Sequence, residues 1–121
     1  MHLALNDDET NIEESTINIF KKRIKVNQKQ FIDFFCPNKI TATRVNSIFS
    51  KEPETIEWIK SFENNSIFWD IGANIGLYSL YAAIINNSKV FAFEPAASNY
   101  FCFLPACLPA CLPACLAGWL A

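Results

Sequence analysis

Apolar positions along the chain change their period several times, and each change marks an element. Ile17, Phe20 and Ile24 recur at helical spacing, with Glu13 and Glu14 upstream and Lys21, Lys22 and Arg23 downstream. Acids before and bases after complement a helix dipole, so the polar leader 1–30 predicts a short amphipathic helix or a loose arm. Lys29 to Cys36 is aromatic and β-branched and closes on Pro37-Asn38, the pattern of a strand and a turn. Ile40 to Phe49 reads as a second extended or mixed segment. Pro53 stands where the first turn of a helix would start, and Ile56, Ile59 and Phe62 follow at helical spacing until Asn64-Asn65.

The pattern then becomes definite. Ser66 to Ile71 is a short apolar run, expected to be buried on both faces of a parallel sheet. Gly72 to Gly76 is a turn, and Leu77 to Ile85 is apolar enough for a helix packed on that sheet. Asn86-Asn87-Ser88 breaks it, and Lys89 to Phe93 is a second strand that ends at Glu94-Pro95. Strand, turn, helix and strand over residues 66–95 make a βαβ unit, whose crossover is expected to be right-handed.

Composition narrows the class. The 121 residues are 51% hydrophobic and 18% charged, outside the range of a disordered polyampholyte. A net charge of -2 lacks the basic footprint of a nucleic-acid binder, so no nucleic-acid partner is expected. The first residues carry a short apolar patch followed by Asp7, Asp8 and Glu9, the wrong order for a secretory signal, which makes the expected location cytoplasmic. The five cysteines, Cys36, Cys102, Cys107, Cys111 and Cys115, are odd in number and crowded at one end, which is no disulfide framework.

Composition also breaks near Leu104. Residues 1–103 hold every charged side chain, whereas 104–121 contain only Leu, Ala, Pro, Cys, Gly and Trp in a Leu-Pro-Ala-Cys repeat. In codons the repeat spells the four-base unit CTGC, so the tail is expected to be a translated DNA repeat outside the fold. On that reading the chain is the truncated product of a frame-altering tract or of a sequencing fault. The uncharged stretch from Phe101 is long enough for a bilayer, but Pro105, Pro109 and Pro113 argue against a spanning helix. The same prolines argue against Cys107, Cys111 and Cys115 as ligands on one helix face, and no metal site is expected.

Chemistry concentrates in Asp70-Ile71-Gly72-Ala73-Asn74-Ile75-Gly76, between strand and helix. Gly72 lets the chain turn off the strand and lets a ligand approach the backbone. Asn74 stands where many nucleotide loops have glycine, and asparagine accepts a left-handed conformation more readily than other side chains. Gly76 allows the helix to start close to the strand. The helix N-terminus then turns free N–H groups towards the crevice. Glu94, 22 residues beyond Gly72, places a carboxylate where ribose hydroxyls could donate to it. A purely structural βαβ unit is the alternative to a nucleoside crevice. The loop lacks the Gly-x-Gly-x-x-Gly spacing of a dinucleotide site.

The loop looks like that of the Rossmann-like methyltransferases, and residues 31–103 more closely resemble the FkbM family of S-adenosylmethionine-dependent methyltransferases. Lys51 to Thr55, Trp58-Ile59, Phe68 to Ala83, Phe91 to Pro95 and Asn99-Tyr100 carry the resemblance in order. It implies an α/β fold of the class I methyltransferase type, here its first βαβ unit with an N-terminal α/β lead-in. It also implies S-adenosylmethionine as cofactor. Asp70 would lie near the amino group of its methionine part, Gly72, Ala73, Asn74 and Gly76 under its amino-acid and ribose portions, and Glu94 at the ribose hydroxyls. The acceptor would be a hydroxyl of a sugar or other small metabolite. The family domain continues through a seven-stranded sheet while the resemblance stops near Phe103, so no catalytic residue is assigned.

Overall fold

The computed structural model describes residues 21–107 and 115–118. It opens with an antiparallel hairpin of β1 (Lys21–Lys25) and β2 (Phe31–Phe35). Ile24 therefore lies on a strand, where the sequence pattern predicts a short helix or a loose arm; Ile17 and Phe20 lie outside the described residues. Two contacts explain the outcome. Arg23 meets Asp33 across the hairpin through two side-chain bonds of 2.6 and 2.8 Å, and Ile24 packs against the core beside Ile32. The Asn27 side chain closes the turn by accepting the Lys29 and Gln30 N–H groups.

Within the segment Ile40 to Phe49, expected to be extended or mixed, the structure has helix α1 (Lys39–Asn46). Its β-branched residues favour strand, but Asn38 and Thr41 form a reciprocal capping box that satisfies the first turn. Thr41, Val45 and Ile48 are buried on one face. Helix α2 (Pro53–Lys60) has proline in its first turn as expected, and it ends at Ser61, before Asn64.

The βαβ unit follows the sequence pattern closely: β3 (Ile67–Ile71), α3 (Leu77–Asn86) and β4 (Lys89–Phe93). β3 and β4 are parallel, Phe68 opposite Val90 and Asp70 opposite Ala92. Helix α4 (Ala97–Cys107) follows, and β5 (Cys115–Gly118) pairs with β4 in parallel, giving the order β3-β4-β5. This is a Rossmann-like α/β arrangement. Regular structure runs past Leu104, and four residues of the repeat tail pair with the sheet, whereas the tail was expected to stand apart from it.

One face of the sheet, Phe68, Val90 and Ala92, joins the buried core with Leu80 and Ala83 of α3 and Phe103 of α4. The other face differs from expectation. Trp69 is 60% exposed and flanked by exposed Ile67 and Ile71, and it stacks on Phe91 and Phe93. Among the described residues β3 has a neighbour on one side only and no layer over this face, so the run is buried on one face instead of two. Among the described residues no helix is long and apolar enough to cross a membrane.

Candidate functional site

The turn between β3 and α3 is built by three left-handed residues at alternate positions: Gly72 at φ 82°, Asn74 at 56° and Gly76 at 78°. Asparagine does take the glycine-like conformation expected of it. The turn is pinned to the sheet because the N–H groups of Gly72 and Ala73 both donate to the Phe93 carbonyl, at 2.8 and 2.9 Å. Gly72 and Gly76 are needed for different reasons. A Cβ on Gly72 would meet open space, whereas one on Gly76 would overlap the buried ring of Phe103. The first leaves room for a ligand beside the backbone, and the second lets α4 pack against the start of α3.

Glu94 is 5% exposed. Its carboxylate accepts the Asn74 N–H at 2.6 Å and the Ala96 N–H at 2.7 Å, one at each oxygen. The acid foreseen from spacing thus sits directly behind the loop, tying the third residue of the turn to the end of β4. Asp70, at the end of β3, accepts the Ser79 hydroxyl at 2.5 Å. Burial pushes the Asp70 carboxyl above its ordinary value; the Ser79 bond opposes this and the nearby Glu94 charge adds to it.

Asp70, Gly72, Ala73 and Asn74 line a cleft of about 210 Å³, whose opposite wall is Arg44, Ser47, Ile48, Lys51 and Glu52, with Leu77 and Tyr78 from α3. Gly76 and Glu94, also expected at the site, do not line it; they hold its floor from behind. Arg44 donates to the Asn74 side-chain oxygen at 2.9 Å and to that of Asn99 on α4 at 3.4 Å. At the mouth, the Tyr78 hydroxyl donates to Glu52 at 3.0 Å, and burial followed by that carboxylate pushes its pKa up to about 12.

Sequence reasoning missed Arg44 and Ser79. Arg44 lies in the segment read as extended or mixed; reading Asn38 as a helix cap would have placed it one face away from the buried Val45. Ser79 lies inside an apolar run, and its signal is only its position in the first turn of α3, below Asp70. Among the described residues no group of His, Cys, Asp and Glu could hold a metal ion.

No family model matches this chain, and neither does any curated protein. Solved structures do resemble it in part. A precorrin-6y C5,15-methyltransferase from Geobacter metallireducens is 17% identical with a TM-score of 0.49, over 57% of this chain and 37% of that one. A putative sarcosine dimethylglycine methyltransferase from Galdieria sulphuraria is 11% identical with a TM-score of 0.46, over 67% and 29%. A SAM-dependent methyltransferase from Aquifex aeolicus is 13% identical with a TM-score of 0.48, over 65% and 46%. The matched region is less than half the length of each of these structures.

Proposed function

We propose that the cleft binds S-adenosylmethionine and that the chain serves in methyl transfer, in keeping with the FkbM resemblance, to a hydroxyl of a sugar or other small metabolite. The observation that carries this reading is the Asp70 carboxylate on Ser79, in the first turn of α3. A dinucleotide loop keeps that helix end for a pyrophosphate, which the helix dipole attracts. Here an acid is already placed there, so the site disfavours a phosphate and favours a ligand that brings positive charge. S-adenosylmethionine has a sulfonium and an ammonium group and no phosphate.

The residues present fit that ligand. The open space at Gly72 admits it beside the backbone, and Asp70 offers an acceptor for the amino group. Gly72, Ala73 and Asn74 form the surface beneath it, and Gly76 and Glu94 hold that surface in shape. Glu94 receives one N–H at each oxygen behind the cleft floor, so its part in binding is to hold Asn74 beneath the ligand, not the ribose contact that the resemblance implies. When bound, the cofactor supplies an electrophilic methyl group on sulfur. The chain's contribution is then alignment of the acceptor against it.

Calorimetric titration of the whole chain with S-adenosylmethionine and, separately, NAD tests the reading. Binding of the first and not the second is expected. Binding of NAD alone overturns it.

A further inference from the structure

Arg44 is a half-buried cation whose two side-chain hydrogen-bond partners are both neutral. Its guanidinium donates to the amide oxygens of Asn74 and Asn99, and among the described residues it forms no ion pair. A partly desolvated charge held by two neutral acceptors is left without a counter-charge. The bonds also fix its direction, because Asn74 belongs to the loop and Asn99 to α4, and both converge on one nitrogen, Nη1. The guanidinium has further N–H groups for a second, anionic partner.

The cleft itself is bipolar. Arg44 and Lys51 stand on the α1 side beside Glu52, whose carboxylate accepts the Tyr78 hydroxyl, and Asp70 comes from the end of β3. Cations facing an acid across one small cleft are complementary to a zwitterion that carries an ammonium and a carboxylate on a single carbon. Resting on the nucleoside reading above, we propose that Arg44 binds the carboxylate of the ligand's amino-acid portion. It thereby makes the cleft selective for nucleosides that carry an α-carboxylate. Asn74 and Asn99 are positioning residues that hold the guanidinium for this contact. Arg44 comes from the lead-in helix, so the site needs α1 as well as the βαβ unit.

The test compares S-adenosylmethionine with decarboxylated S-adenosylmethionine, which keeps the nucleoside, sulfonium and ammonium and lacks only the carboxylate. Titration calorimetry on the whole chain is expected to show the complete ligand bound about tenfold to a hundredfold more tightly, the range of one charge-assisted hydrogen bond. In Arg44→Gln that ratio falls close to one through weaker binding of S-adenosylmethionine, with the decarboxylated ligand unchanged. Arg44→Lys keeps part of the ratio.

Equal loss of both ligands in Arg44→Gln overturns the assignment, since Arg44 would then act only by holding the loop. Equal affinity of the two ligands for the unaltered chain overturns it without any variant, which covers the case of a substitution that fails to fold. An unaltered chain that binds neither ligand overturns the nucleoside reading, and the assignment falls with it.

Discussion

The carboxylate of Glu94 is bonded to the backbone N–H of Asn74 at 2.6 Å, a side chain at the end of one strand fixing the left-handed residue of a loop that follows another. Buried at both oxygens by N–H donors, Glu94 is the hinge pin of the turn rather than a free group in the cleft. Gln in its place would aim an amide NH₂ at one of those donors. Glu94→Gln is expected to destabilise the chain by about 1–3 kcal/mol, the cost of leaving a buried donor unpaired. Chemical denaturation measures this, and an unchanged midpoint contradicts the pinning role.

Gly72 and Gly76 share a positive φ but should respond differently to alanine. Gly76→Ala combines the left-handed penalty with overlap of the Phe103 ring, about 2–5 kcal/mol together. Adding Phe103→Leu should recover part of that loss, which a double-mutant cycle reads as a coupling energy. Gly72→Ala carries only the backbone term, about 1–2 kcal/mol, because its Cβ meets open space. Ligand affinity should fall further than that term accounts for, since the methyl group occupies the approach to the backbone.

Asn74 separates conformation from side-chain bonding. Asn74→Gly keeps the left-handed backbone and loses the Arg44 acceptor, so folding should change little while ligand binding weakens. Asn74→Ala loses the acceptor and strains the backbone, and should be the less stable of the two by about 1 kcal/mol. Thermal melts beside titrations distinguish the two losses. Equal stability of the variants would show that the loop conformation carries no strain.

Two acids shift in opposite directions and predict opposite pH slopes. The Arg23 bond, then its charge, holds Asp33 below the ordinary 3.8, so its contribution is present above 3.8 and is lost as pH falls through the lower folded value. Burial raises Asp70 above 3.8, so the folded state binds the proton more tightly and stability declines as pH rises from 3.8 through the raised value. Asp33→Asn should remove the acid-side loss, and Asp70→Asn should flatten the decline above 3.8. Denaturation midpoints from pH 2 to pH 7 are the measurement.

Local chemistry made much of the site legible. The ends of β4 agree with the hydrophobic run, and Gly72, Asn74 and Gly76 fall where only a left-handed backbone fits. Other elements went the other way. Lys21 to Arg23 look like the basic end of a helix, yet cross-strand pairing with Asp33 draws them into a hairpin. Ile40 to Phe49 read as extended or mixed, yet the Asn38 cap starts a helix over Lys39–Asn46. In both cases a few specific bonds outweighed a weak local propensity.

Sequence alone determined the strand, turn, helix and strand around residues 66–95, because those elements follow from periodicity and from which residues tolerate a positive φ. Only the tertiary structure decided what surrounds them. It brought Arg44 to a loop 30 positions away and to Asn99 at 55, turned Glu94 inward onto Asn74, and left Trp69 exposed on an uncovered face. Such contacts depend on how separate elements pack in space, and no spacing within a single segment encodes that packing.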